Sequence, residues 1–143
     1  MSDCVFCGIV DGTAPAHIVY EDPDVLGFLD IRPMRTGHTL LIPKVHSSNL
    51  AELPAEQGAR LFNAGQIVAA AQRASAIAAD GVNLLVNDGR AAFQTVFHSH
   101  LHVVPRHNGD KLTLAKGLLV RKDKDLPGTA AILRAQLPRL GDR

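Results

Sequence analysis

Apolar positions along the chain change period several times, and each change marks an element. Val5, Phe6, Ile9 and Val10 follow helical spacing until Gly12, so a short helix or turn is predicted there. Two strand-like runs follow, His17 to Glu21 and Val25 to Leu29. Between them Glu21-Asp22-Pro23-Asp24 has the composition of a turn, which predicts a β-hairpin. Ile31 to Gly37 holds Pro33 and reads as a loop, Thr39 to Ile42 as a strand ended by Pro43, and Lys44 to Asn49 as polar loop. Asn49 with Glu52 matches an N-cap signature.

From Ala55 to Ala79 the period becomes helical and stays so, with Leu61, Ala64, Val68, Ala71 and Ala74 at spacings of three and four. Gly81 is its predicted stop, and Gly65 inside it costs about 1 kcal/mol relative to alanine. Val82 to Val86 reads as a strand entering the turn Asn87-Asp88-Gly89. Gly89 to Thr95 reads as a loop, and Phe97 to Val104 as a strand closed by Pro105. Further on, Leu112 to Val120 fits helix and strand equally, Arg121 to Asp125 is a solvated charged stretch, and Ala130 to Leu137 is a predicted final helix. Short connections favour antiparallel pairing. The expected architecture is an α+β fold, one domain over 1–143 with its core at about 4–107, helix packed on one sheet face and 108–143 a C-terminal extension.

Composition narrows the function. An apolar fraction of 46% with 20% charged residues suits a folded domain of 143 residues and not a disordered chain. Fifteen basic against 14 acidic residues leave a net charge of +1, too little field for a nucleic-acid polymer. No apolar run nears the roughly 18 residues of a membrane helix, and the start lacks a signal-peptide pattern, so no membrane partner and a cytoplasmic location are expected. Cys4 and Cys7 form one CxxC, which in a reducing compartment reads as metal or redox chemistry before disulfide.

The stretch His98-Ser99-His100-Leu101-His102-Val103-Val104 carries the strongest chemical signal. On a strand, His98, His100 and His102 share one face while Leu101 and Val103 face a core. Three imidazoles at period two serve no packing need. They suit a zinc site or nucleophilic catalysis, and spacing does not choose between these. The preceding Asn87, Gly89, Gln94 and Thr95 supply donors suited to a phosphate whose charge grows during displacement.

HSHLHVV, together with VNDG, QTVFH, DIRPMRTGHTLLIPKVH and CVFCGIVDG, resembles the histidine-triad (HIT) family over about residues 4–107. That resemblance implies a mainly antiparallel five-stranded sheet with one long helix and short terminal helices, extended across a homodimer. It implies a nucleotide hydrolase or transferase with His100 as nucleophile, forming a nucleotidyl-histidine that water resolves. His102 would contact the phosphate, with His38 as a supporting fourth histidine and His98 completing the triad. Asp30 resembles the ribose-binding acid, and Val5, Phe6, Ile9, Phe28, Ile31 and Leu40 the slot for a purine base. Gln94, Thr95 and the Val96 amide resemble phosphate and leaving-group contacts, and Asn87 a partner of the phosphate or triad. Some relatives hold structural zinc through residues that here are Cys4, Cys7, His46 and His98. His17 and His107 receive no role.

The chain also departs from the family pattern. Phe93 stands where many relatives have glycine, Ser99 where the family has an apolar or small residue, and Thr95 in place of a frequent serine. The Trp-containing end of the phosphoramidase branch is missing, and PRHNGD resembles the diadenosine-polyphosphate hydrolase branch. Phosphoramidates, dinucleoside polyphosphates and related nucleotide esters all remain open as substrates.

Overall fold

Five strands pair antiparallel throughout the computed structural model of the chain, which describes residues 3–110 and 123–141. They are β1 (Ile18–Glu21), β2 (Val25–Leu29), β3 (Thr39–Pro43), β4 (Gly81–Leu85) and β5 (Leu101–Arg106), in the spatial order β1-β2-β3-β5-β4. Helix α1 (Val5–Asp11) precedes the sheet, α2 (Ala55–Ala74) connects β3 to β4, and α3 (Leu126–Arg134) follows β5. The α+β class and the single long helix agree with the sequence reading.

Strand alternation divides the core in two. Val25, Leu29, Leu41, Leu101 and Val103 bury against Leu61, Ala64, Val68 and Ala71 of α2 and Leu133 of α3. Their alternate neighbours Leu26, Phe28, Leu40 and Ile42 bury on the other face with Phe6 and Ile9 of α1. His102 stands beside Leu40, which in turn stands beside Phe28, so the triad histidine sits mid-sheet on the α1 face. Gly65 has a packing reason: a Cβ there would lie 2.9 Å from methyls of both Leu101 and Leu84. The bare backbone lets α2 settle onto β4 and β5, which offsets its poor helix propensity.

Pro105 and Arg106 fall inside β5, which was expected to close at Pro105, and Gly81 opens β4; three further boundaries differ by more. Helix α2 ends at Ala74, not Ala79, because Ser75 turns extended and its hydroxyl accepts from the Ile77 amide. The last helix runs Leu126–Arg134 in place of Ala130–Leu137, with the Asp125 carboxylate capping it through the Gly128 amide. Strand β5 begins at Leu101 and not at Phe97. The Leu112–Val120 stretch lies outside the described residues, as do Arg121 and Lys122.

The Gly37 turn before β3 is tightly determined. Its φ is +97°, and a Cβ would meet the Ile77 side chain at 2.5 Å. Gly37→Ala is expected to lower the unfolding free energy by about 1–3 kcal/mol through strain and overpacking. A denaturant midpoint unchanged from wild type would show that the turn relaxes freely.

Candidate active site

The sequence reading placed all three triad histidines on one strand, and the structure corrects this. Only His102 belongs to β5, while Phe97 to His100 run as irregular chain. The cause is Pro43. Continuing the β3–β5 register would set Ser99 opposite Pro43, which has no N–H to give the ladder. The segment is held by other bonds. The Ser99 amide donates to the Ser47 carbonyl at 2.7 Å, and His98 Nε2–H donates to the Pro43 carbonyl at 2.8 Å.

These bonds settle which nitrogen of each ring carries a proton. With Nε2 on the Pro43 carbonyl, His98 presents a bare Nδ1. His100 donates from Nδ1 to the His98 carbonyl at 2.8 Å, which leaves its Nε2 lone pair free. His38 Nδ1 accepts from the Met34 amide at 3.0 Å, so its proton sits on Nε2 and is donated to His102 Nδ1 at 2.9 Å. His102 then carries its proton on Nε2, a buried atom with no hydrogen-bond partner among the described residues. A buried N–H without a partner is costly, and an anionic oxygen would satisfy it.

Burial keeps these rings neutral. Desolvation, followed by the neighbouring His100, lowers His38 to about 4. Desolvation again leads for His102, with His38 and His100 adding to it, and lowers it to about 3. His100 is also lowered by burial, against the opposing pull of its carbonyl bond and Asp30. Desolvation raises the Asp30 carboxyl above its ordinary range. Its Oδ1 accepts from the Arg32 amide at 2.8 Å, and its Oδ2 lies 3.7 Å from His38 Nε2.

A second cluster adjoins the first through His98. Its Nδ1 stands 3.5 Å from Cys4 Sγ, 3.6 Å from Cys7 Sγ and 3.2 Å from His46 Nδ1, and Cys7 Sγ is 3.3 Å from His46 Nδ1. Tetrahedral zinc with thiolate and imidazole ligands has ligand–ligand edges of roughly 3.3–3.8 Å. Two soft sulfurs and two ring nitrogens at these spacings suit zinc.

Asp30, His38 and His102 also bring their ligand atoms within 4.8 Å of one another. Here the bond directions argue otherwise. A cation between the rings would need the His38 proton moved to Nδ1, where it would face the Met34 N–H. This group is a hydrogen-bond relay.

Of the remaining candidates, Phe6 packs edge-on against His98, His100 and Phe28 at 5.9, 5.2 and 5.3 Å between centroids. Phe28, Leu40 and Ile9 are buried with it, whereas Ile31 and Val5 are exposed. Thr95 and Val96 line a pocket of about 390 Å³ with Asp3, Cys4, Val5 and Phe97. Asn87 is half-buried just past β4.

Gln94 is engaged within its own loop. Its Nε2 donates to the Ser48 and Val96 carbonyls at 2.7 and 3.0 Å, and its Oε1 accepts from the Gly89 amide at 2.7 Å. Both amide hydrogens are engaged, so the side chain fastens the loop. Asp88 Oδ1 likewise accepts from the Leu50 amide.

Sequence reasoning overlooked Met34, Pro43 and Ser47, which act through backbone groups or a buried hydroxyl. Only Pro43 carried a readable signal, as a residue unable to continue a ladder.

Known proteins resemble this chain over most of its length. The family model described as HIT domain matches residues 11–109. A crystal structure of a zinc-bound histidine triad family protein from Mycobacterium smegmatis superposes with a TM-score of 0.88 at 53% identity, covering 94% of this chain and 92% of that one. An uncharacterized HIT-like protein of Mycobacterium tuberculosis is 52% identical over 134 residues, 94% of this chain and 92% of its own length. An adenylylsulfatase of Arabidopsis thaliana is 37% identical over 95% of this chain and 70% of its own length.

The buried relay sets a pH dependence. His38 titrates near its ordinary 6.5 when unfolded and at about 4 when folded, so the unfolded chain takes up the proton first as pH falls. The stability present above pH 6.5 is lost on acidification, by about 3 kcal/mol from His38 alone at pH 4. Unfolding free energies of wild type and His38→Asn between pH 7 and 4 should therefore diverge in slope, with the variant flatter. Parallel slopes would mean that the folded ring titrates normally.

Proposed function

The chain belongs to the histidine-triad family, and on that premise we propose a hydrolase or nucleotidyl transferase that attacks the α-phosphate of a purine nucleotide. The scissile bond is an ester, anhydride or phosphoramidate. One observation carries the reading: the bare Nε2 of His100 lies beside the unpartnered Nε2–H of His102, their rings 4.9 Å apart.

In the first step His100 Nε2 forms a bond to the α-phosphorus while the bond to the leaving group breaks and its electron pair departs with that group. The ring gains positive charge, and its Nδ1–H bond to the His98 carbonyl strengthens as it does so. His102 Nε2–H donates to a non-bridging phosphate oxygen. Water then attacks the phosphorus and gives up a proton to solvent, the P–N electron pair returns to His100 Nε2, and AMP or GMP leaves with the neutral ring restored.

The remaining residues take supporting roles in this reading. Asp30 accepts from the ribose hydroxyls, and Phe6 and Phe28 border the base. Thr95, Asn87 and the Val96 amide serve the phosphate and leaving group. The adenylylsulfatase relative adds sulfate to the leaving groups considered; sulfate departs without needing a proton, whereas an amine requires one.

Zinc belongs to the same reading. Cys4, Cys7, His46 and His98 would hold it, and it would supply a structural cross-link between α1, the loop after β3 and the triad segment. A homodimer is also part of the proposal, its sheet extended from one of the two edges, β1 or β4.

Wild type and His100→Ala incubated with adenosine phosphoramidate, diadenosine polyphosphates and adenylyl sulfate should differ completely. Wild type releases AMP and shows a transient nucleotidyl adduct on His100 by mass spectrometry. AMP bound by both proteins without turnover of any substrate would instead identify a binding protein.

Metal analysis after gentle purification should find about one zinc per chain. Chelation should lower Tm, and Cys7→Ser should lose the metal. Zinc far below stoichiometry in freshly purified wild type would sink the assignment.

A further inference from the structure

We infer that Gln72 is a positioning residue for the His38–His102 pair, holding from the far face of the sheet the two backbone segments that carry these rings. The inference rests on the catalytic reading above for its kinetic consequence, but not for its geometry.

Gln72 lies on α2, fully buried, on the face opposite the triad. Its Nε2 donates to the Gly37 carbonyl at 3.1 Å and to the Val103 carbonyl at 3.0 Å. Gly37 immediately precedes His38, and Val103 immediately follows His102. One amide group therefore bridges the neighbours of the two rings whose mutual bond, 2.9 Å long, fixes the His102 proton on Nε2.

The strand ladder cannot do this. Pairing of β3 with β5 begins at Thr39 opposite Val103, so Gly37 and His38 lie beyond its last rung. On the β2 side this segment is tied by the Asp30 amide, which donates to the His38 carbonyl at 3.0 Å. Toward β5 the segment is tied by the His38–His102 ring bond and, at the backbone, by Gln72, while the Gly37 carbonyl also accepts from the Thr39 hydroxyl at 2.9 Å. The amide orientation is forced as well, since the opposite flip would aim its oxygen at two carbonyls.

The arrangement also has a cost that packing alone would avoid. Gln72 Oε1 is buried without a partner among the described residues, so an apolar side chain would fill the same space without stranding an acceptor. What the amide adds is a fixed spacing between Gly37 and β5. If His38 drifts, the Met34–His38–His102 chain of bonds no longer selects one tautomer, and the proton facing substrate is no longer assured.

The test is Gln72→Met, which keeps the approximate volume and removes both donors. It uses the zinc-loaded protein, adenosine phosphoramidate as substrate, and ¹⁵N spectra of the imidazoles. A folded variant should lose about 10- to 100-fold in kcat with KM within about threefold of wild type, since small misplacements carry penalties of that size. Its His38 and His102 nitrogens should shift toward a mixture of tautomers.

A kcat within twofold of wild type, with unchanged imidazole spectra, would overturn the inference. If wild type itself turns over no substrate, the catalytic reading has failed and the spectra decide alone: unaltered tautomers in the variant refute positioning, and mixed tautomers support it. If the variant does not fold, hydrogen exchange of the Gln72 side-chain amide in wild type decides. Slow exchange with couplings to the Gly37 and Val103 carbonyls supports the bridge, and fast exchange refutes it.

Discussion

A 2.8 Å hydrogen bond joins His100 Nδ1 to the carbonyl of His98, and the chemistry of the site depends on it. It leaves Nε2 as the bare nitrogen, orients the ring, and provides an acceptor that grows more favourable as the ring acquires charge. In the proposed reading such a contact contributes more in the transition state than in the ground state, as catalysis requires. The bond forms where residues 97–100 run outside the ladder. A regular strand would have committed the same carbonyl to a neighbouring amide. The irregularity of residues 97–100 is therefore part of the site.

His98 is where two side-chain clusters meet. Its ring faces Cys4, Cys7 and His46, and its carbonyl faces His100. Ring and carbonyl share one Cα, and the bond from the Ser99 amide to the Ser47 carbonyl holds the His98–Ser99 peptide plane. Within the proposed reading the zinc cross-link thus anchors the residue whose carbonyl orients the nucleophile. The neighbouring relay of Met34, His38 and His102 uses the same residue type to the opposite end. Deep burial keeps its imidazoles neutral, and one backbone N–H at its start dictates the proton at its end. Two clusters of comparable spacing are told apart by bond direction and not by proximity.

Much of this was legible in the sequence. The period changes located every strand and the long helix, and the division of Leu101 and Val103 from His102 followed from simple alternation. The motif set pointed to the rings that do converge. Boundaries failed where a side chain competed with the backbone: Ser75 ended α2 early, and Asp125 started α3 early. The start of β5 failed for a different reason, because the ladder stopped on the partner strand at Pro43. Met34 was invisible, since only its backbone N–H matters and any residue but proline supplies one. Gln72 looked like one more polar position on an alanine-rich helix.

The loop before the triad shows how a role carried over by residue type can change its meaning. Phe93 holds φ at +69°, in the left-handed region where a glycine would rest without strain. A side chain there costs about 1–2 kcal/mol, and something must hold the loop in that shape. Gln94 does so, binding Gly89 behind it and Ser48 and Val96 on its other side. An amide so engaged has no hydrogen left for a phosphate. In the proposed reading the oxygens of the substrate therefore fall to His102, the Thr95 hydroxyl and the backbone amides of the loop, while Gln94 decides where those amides stand.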